Sequence, residues 1–326
     1  MRGLWLTDRG IEYRTDLRIP GLSPGFALIR VERAGICSTD LQLVGGMYDF
    51  QGIPGHEFVG VVEEVDEGPL QSSDWVGRRV VGEINIACHA CDLCRRGLAK
   101  HCRRRDVLGI RNHYGAFAEY LALPLSNLHK IPDDLPLDLA VFAEPLAAVF
   151  DVLNKVEVTP EARLAIVGDG RIAQMAARVL LQEVDRLTVI GKYADKLLRF
   201  PPGITTHLYD EELPDQQFDL VIECSGSTSG LATALQLIRP AGQVVLKSTV
   251  KAPLSISTET LVVNEISLIG SRCGDFERAI RFISAEQKKD QDLANLVDGY
   301  FNIEEGLAAM ALAQKHSTIK VVLNMA

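Results

Sequence analysis

The sequence predicts an α/β fold in two parts: a largely parallel sheet covered by helices on both faces, and a mostly β unit that precedes it. Three observations predict this. From about 150 to 271, short apolar runs alternate with amphipathic helical segments, the pattern of strand–helix–strand crossovers. Before that stretch the chain reads as short runs rich in valine and isoleucine, bounded by glycine or proline turns. At the start of the alternating part a glycine turn, Gly168-Asp169-Gly170-Arg171-Ile172-Ala173, joins an apolar run to a helical one.

Taken in order, residues 26–33 (FALIRVER), 57–65 (EFVGVVEEV) and 78–84 (RRVVGEI) read as strands, and GAFAEYLALPLSNLHKIP supplies two more. Proline and aspartate punctuate 132–138, after which AVFAEPLAAVFDVLNK reads as helix. RLAIVG is a buried-type strand, and in the following RIAQMAARVLLQ the residues Ile172, Met175, Ala176, Val179 and Leu180 recur at helical spacing. LTVIG, FDLVIECSG, GQVVLKST and EISLIGS are further strands, with TSGLATALQLIRP a helix among them. Residues 275–290 and FNIEEGLAAMALAQ read as helices, and TIKVVLNM as a closing strand. The expected domains are 1–149 with 272–326, and 150–271.

The chain has 326 residues, enough for two domains. Its 43 acidic against 34 basic side chains give a formal charge of -9, which offers no broad electrostatic footprint for nucleic acid. The first residues lack the apolar run of a signal peptide, and no later segment has an uninterrupted transmembrane length. A soluble, cytoplasmic protein without membrane or nucleic-acid partners is the expectation.

The glycine turn follows a strand and opens a helix. Gly168 permits the tight turn, Gly170 lets backbone approach a pyrophosphate, and Ala173 allows close helix–strand packing, while Arg171 and Ile172 begin the helix whose free amides favour negative charge. These features predict a dinucleotide-binding Rossmann domain. The next strand ends at Gly191-Lys192 rather than at an acidic residue, with Lys196 and Arg199 nearby, so the ribose end leans toward NADP over NAD.

Of seven cysteines, four follow the spacing Cys88-x-x-Cys91-x-x-Cys94 and then Cys102. Four soft donors in fifteen residues can wrap one tetrahedral ion. An iron–sulfur cluster uses similar spacing, but zinc is the favoured reading, and four thiolates leave no open position for substrate, so its role is structural.

Gly35-Ile36-Cys37-Ser38-Thr39-Asp40, Gly55-His56-Glu57-Phe58-Val59-Gly60, the cysteine lobe at 85–105, Glu144-Pro145-Leu146 and the glycine turn occur in an order that resembles the medium-chain zinc alcohol dehydrogenases. The resemblance spans nearly the whole chain and is nearest the polyol and threonine dehydrogenase-like branch. It implies a GroES-like catalytic domain to which the C-terminal segment returns, hydride transfer between NAD(P) and an alcohol or carbonyl, and a homodimer or homotetramer. It also implies Cys37 and His56 as catalytic-zinc ligands, Glu144 as the acidic ligand of that branch, and Glu57 as a carboxylate that binds zinc directly or stands just outside it. One thiolate, one imidazole and one carboxylate leave a fourth position open for water or substrate oxygen, so Glu57 and Glu144 are not expected to bind together throughout turnover. Asp40 is expected to orient the histidine's other ring nitrogen.

Thr39 resembles the family hydroxyl that contacts the alcohol. Where many relatives place a histidine two residues after the acidic position, this chain has Gln42, which takes up no proton near neutral pH. Ser225, Ser248, Gly270 and Arg272 correspond to positions that border the cofactor, and Cys224 is read as packing or cofactor proximity rather than nucleophile. Two other readings stand beside the zinc dehydrogenase: a quinone or enoyl reductase without zinc, against which Cys37, His56 and the cysteine lobe count, and a non-catalytic NAD(P)-sensing or structural protein, which Gln42 keeps open.

Overall fold

The computed structural model describes residues 1–66, 74–286 and 293–325. The chain divides into two compact units, Met1–Glu144 with Phe276–Ala326, and Pro145–Asp275. The first is the mostly β GroES-like domain and the second the α/β Rossmann domain. Among the described residues no helix is long and apolar enough to cross a membrane.

The first unit opens with a hairpin, β1 (Gly3–Thr7) and β2 (Gly10–Arg14), that the sequence reading did not foresee. Its long strands are β3 (Phe26–Gly35) and β4 (Glu57–Val65), both rich in β-branched residues. The single run expected at 78–84 is shorter, β5 (Arg79–Gly82), and is followed by a separate β6 (Asn85–Ile86). The reason is a change of partner: β5 pairs with β4, whereas β6 pairs with β7 (Asp106–Leu108) in a small sheet that also holds β8 (Asn112–His113). Then come β9 (Tyr120–Pro124) and β10 (Leu128–Lys130).

In the second unit β11 (Arg163–Val167), β12 (Arg186–Gly191), β13 (Thr205–Leu208), β14 (Phe218–Glu223), β15 (Ile238–Leu246) and β16 (Ser267–Gly270) form one parallel sheet. Its order is β13-β12-β11-β14-β15-β16, with the reversal between β11 and β14. The strand β13, TTHL, lies at the sheet edge with two exposed residues, which is why no apolar run announced it. Helix Arg171–Leu180 buries Met175, Ala176, Val179 and Leu180, while Ile172 at its open end is half-buried. Helix Gly230–Leu237 seals Leu231, Ala234 and Leu237 onto the strand residues Ala165, Val221 and Val244, each fully buried aliphatic side chain contributing about 1.5–3 kcal/mol for the larger ones.

The first unit resumes with helix Phe276–Glu286, β17 (Val297–Asn302), helix Gly306–Ala313 and β18 (Lys320–Asn324). Of the helix expected at 275–290, residues 287–290 lie outside the described residues. The helix expected from Phe301 starts later. Phe301 and Asn302 belong to β17, and the Asn302 amide donates to Glu305 Oε2 at 3.2 Å in a capping box that ends the strand.

β3 organises the large sheet, whose order is β10-β5-β4-β3-β18-β17. One edge of β3 pairs with β4; along the other, Phe26–Arg30 pair with β9 and Arg33–Gly35 with β18. At Gly35 the strand is flanked by Glu57 of β4 and Val322 of β18.

The loop before β4 is held from the opposite side. Gly115 N donates to Ile53 O at 2.7 Å, Phe117 N to Pro54 O at 2.9 Å and Ala116 N to Gly55 O at 2.9 Å. Gly55 has φ +95, and a Cβ there would come within 2.4 Å of the Phe117 ring, so both conformation and space require glycine immediately before His56. Gly55→Ala is expected to destabilise the first unit by about 2–4 kcal/mol, read as a lowered melting temperature, with zinc content falling at the same time. An unchanged melting curve would refute this account of the loop.

Candidate metal centre and cofactor site

Cys37 stands two residues beyond β3, where Ile36 N donates to Val321 O at 3.0 Å and keeps the chain against β18. It is the N-cap of helix Ser38–Val44, and its amide donates to Asp40 Oδ2 at 2.8 Å. The other oxygen of Asp40, a fully buried side chain, lies 3.2 Å from His56 Nδ1. One carboxylate thus holds the turn carrying the thiol and stands beside the ring of the histidine.

His56 and Glu57 begin β4, and both are buried. Cys37 Sγ, a ring nitrogen of His56 and a carboxylate oxygen of Glu57 all lie within 4.8 Å of one another. Thr39 Oγ1 is 3.8 Å from Cys37 Sγ. Burial pushes the His56 pKa down, but the charge and contact of Asp40, aided by Cys37, carry it well above the ordinary histidine value. Burial likewise pushes the Cys37 thiol up, and the His56 contact outweighs it and brings the thiol below its ordinary value. Sulfur, nitrogen and oxygen donors converging with a net negative balance fit a divalent cation of borderline softness, zinc above others.

Glu57 has a second neighbour that the sequence reading missed. Lys320, at the start of β18, donates from Nζ to Glu57 Oε2 in a buried ion pair. Glu144 lies in the first turn of helix Ala143–Leu153, half-buried, and is not part of the close group formed by Cys37, His56 and Glu57.

Cys88, Cys91, Cys94 and Cys102 also have their sulfurs within 4.8 Å of one another. Cys91 Sγ is 3.5 Å from Cys94 Sγ and 3.9 Å from Cys102 Sγ, while Cys88 N and Arg104 N donate to Cys102 Sγ at 3.3 and 3.4 Å. The Ala90 amide, then Cys102, draws the Cys88 thiol down to about 5. Desolvation and the neighbouring sulfurs push Cys94 up to about 12. Four thiolates this close cannot all ionise without a cation among them, and the set fits a closed tetrahedral zinc site.

In the second unit, Gly168 has φ +130 and a Cβ there would come within 2.9 Å of Cys224 backbone, so the turn after β11 closes tightly on the turn after β14. Gly170 caps helix Arg171–Leu180, placing Arg171 and Ile172 in its first turn. Asp169 reaches across to the end of β12, where its Oδ2 accepts from the amides of Lys192 and Tyr193 at 2.7 and 2.8 Å. A side chain at Gly191 would meet Asp169, which explains glycine there. A carboxylate is therefore present at this strand end, supplied by the turn and not by the strand. Lys192 is exposed, whereas Lys196 is buried, 3.9 Å from Asp169 Oδ1, with its pKa lowered by burial. Ser225 and Ser248 hydroxyls donate to Glu223 Oε1 at 2.6 and 3.2 Å, gathering the ends of β14 and β15. Arg272 N donates to Asp151 Oδ2 at 3.1 Å.

Comparison with known proteins agrees with this geometry. Residues 23–133 match the family described as alcohol dehydrogenase GroES-like domain, and residues 207–285 that described as zinc-binding dehydrogenase. The erythritol/L-threitol dehydrogenase of Mycolicibacterium smegmatis is 30% identical over 296 residues, 81% of each chain. The chain belongs to the medium-chain zinc-binding dehydrogenase family. Within it, the L-threonine 3-dehydrogenase of Deinococcus deserti is 28% identical over 339 residues, covering 97% of this chain and 95% of that one. A zinc-binding dehydrogenase fold from Sinorhizobium meliloti 1021, solved bound to NADP, superposes with a TM-score of 0.89 at 25% identity over 99% of this chain and 98% of its own. The present chain has the fold of a zinc-dependent, NAD(P)-linked dehydrogenase related to the polyol and threonine branch, with two clusters compatible with a catalytic and a structural zinc.

Asp169 and Lys320 are the site residues that sequence reasoning passed over. Asp169 stood inside the quoted glycine turn, and a lysine inside the apolar run TIKVVLNM was itself a signal, since an unpaired ammonium is rarely fully buried. Zinc analysis of the purified chain separates the two clusters. Cys94→Ser is expected to lose one equivalent and melt at a clearly lower temperature, while Cys37→Ser loses the other with far-ultraviolet circular dichroism unchanged. Full zinc content in either variant would refute the corresponding assignment.

Proposed function

We propose that this dehydrogenase oxidises a small alcohol or polyol, or reduces the corresponding carbonyl, with NADP favoured over NAD. The observation that carries the reading is the convergence of Cys37, His56 and Glu57 donor atoms within 4.8 Å, beside the Thr39 hydroxyl. In this reading Cys37 and His56 hold the catalytic zinc with an acidic donor drawn from Glu57 and Glu144, and Cys88, Cys91, Cys94 and Cys102 hold a structural one. A zinc ion held there would supply Lewis acidity toward a substrate oxygen, and a bound nicotinamide would supply the hydride acceptor or donor.

The protein's own groups then divide the remaining work. Asp40 keeps His56 in the ring orientation that ligation needs. Thr39 positions the substrate oxygen and carries its proton. Gln42 accepts none, so the proton would leave through the cofactor ribose, water or another acid such as Glu57. The cofactor's pyrophosphate is assigned to the turn Gly168–Gly170 and the helix start at Arg171 and Ile172, with Gly191, Ser225, Ser248 and Arg272 bordering it. Exposed Lys192, next to the amides that Asp169 engages, supplies positive charge for a ribose phosphate.

The polyol class draws support from the erythritol/L-threitol enzyme at 30% identity. Gln42 favours a second reading, cofactor sensing without turnover. Near-ultraviolet absorbance of zinc-replete protein, assayed with primary and secondary alcohols, polyols, sugars and β-hydroxy amino acids, distinguishes them: turnover on a polyol or alcohol is expected, and cofactor binding with silence across the panel would favour the sensor. Lys192→Asp is expected to weaken NADP relative to NAD by about tenfold, read as the ratio of kcat/KM values, the loss of one charge-assisted phosphate contact. An unchanged ratio would remove Lys192 from the ribose site.

A further inference from the structure

The centre described above leaves one buried charge without a role. Lys320 opens β18 with its side chain 3% exposed, and Glu57 opens β4 with its side chain 2% exposed. They meet because of β3. Gly35 pairs with Glu57 on one side and with Val322 on the other, and Lys320, two residues before Val322, shares the face of that residue. A Cβ at Gly35 would come within 2.5 Å of Lys320 Nζ and 2.6 Å of Glu57 Oε2, so the ion pair occupies the space that glycine leaves. The lysine is held at both ends. Asp298 Oδ2 accepts from the amides of Ile319 and Lys320 at 2.5 and 3.1 Å, and Nζ lies 5.7 Å from the centre of the buried Phe142 ring.

The Glu57 carboxylate thus has two cationic claimants, the Lys320 ammonium it touches and the ion that its grouping with Cys37 and His56 invites. We propose that Lys320 is a positioning residue that competes with the metal for Glu57, holding the carboxylate beside the Cys37–His56 centre so that a coordination position stays open. An ammonium is a point charge with rotatable donors and no fixed fork, so it tethers the carboxylate without locking both its oxygens. This rests on the reading of Cys37, His56 and Glu57 as a zinc site.

The test follows zinc in the full-length protein with a chromogenic chelator, together with the visible spectrum after cobalt substitution. Wild type is expected to release two equivalents in separate phases. With the ammonium removed, the buried carboxylate has only the metal to neutralise it. Lys320→Met and Lys320→Gln are therefore expected to release the equivalent assigned to Cys37 and His56 about tenfold more slowly, with a changed cobalt spectrum. In a Glu57→Gln background the same substitutions are expected to change neither. The glutamine variant keeps a polar side chain in the buried space and serves if the methionine variant does not fold. Wild type that holds only the cysteine-lobe equivalent would overturn the zinc-site reading. Two equivalents in wild type, with Lys320 variants releasing zinc at or above the wild-type rate, or changing it equally with and without the Glu57 carboxylate, would overturn the role of Lys320 alone.

Discussion

The register of β3 is the constraint on which the metal centre depends. β4 takes one edge of this strand and β18 the end of the other, so residues far apart in the chain, Glu57 and Lys320, are brought to either side of Gly35. Cys37 follows two residues later and turns into a helix whose Asp40 reaches the neighbouring histidine. A slip of one residue in the β3–β4 pairing would send Glu57 to the opposite face of the sheet and disconnect the group. Strong specification of this register is therefore a condition of the chemistry, and the buried faces of Ile29, Val31, Val59 and Val62 provide it.

The two sulfur-containing clusters solve different electrostatic problems. Four close thiols in the cysteine lobe share too much potential negative charge to ionise without a cation, so metal and local fold are coupled. The Cys37 group is different, because its charges are already partnered by protein. Asp40 faces His56, His56 faces Cys37, and Lys320 faces Glu57. Removing one member of a buried ion pair costs about 3–5 kcal/mol, so these contacts hold the side chains in place before any ion arrives. A lobe whose four sulfurs call for a cation and a centre whose charges are partnered by protein are compatible with a structural and a catalytic zinc site respectively.

The nucleotide-binding end shows a comparable substitution of parts. A carboxylate at the end of the second strand is a common way to contact ribose, and β12 ends instead in Gly191-Lys192. Asp169 of the glycine turn reaches the same strand end, but its Oδ2 is taken up by the amides of Lys192 and Tyr193. A linear reading assigned the strand end its chemistry from the strand's own residues, whereas parallel strands placed side by side allow one turn to furnish a group to the next.

By itself the sequence determined the fold class, both cysteine-rich and glycine-rich motifs, and the thiol and imidazole of the candidate centre. These are local signals: hydrophobic period, ligand spacing and turn chemistry survive in a short window of residues. Short edge strands such as β13 and the hairpin of β1 and β2 left too weak an apolar pattern to be read. Only the tertiary structure decided that Glu57 pairs with Lys320 and that Asp169 reaches the end of β12. The physical reason is that side-chain partnership in a sheet is set by register and by which strands are neighbours, and neither is encoded in any one segment.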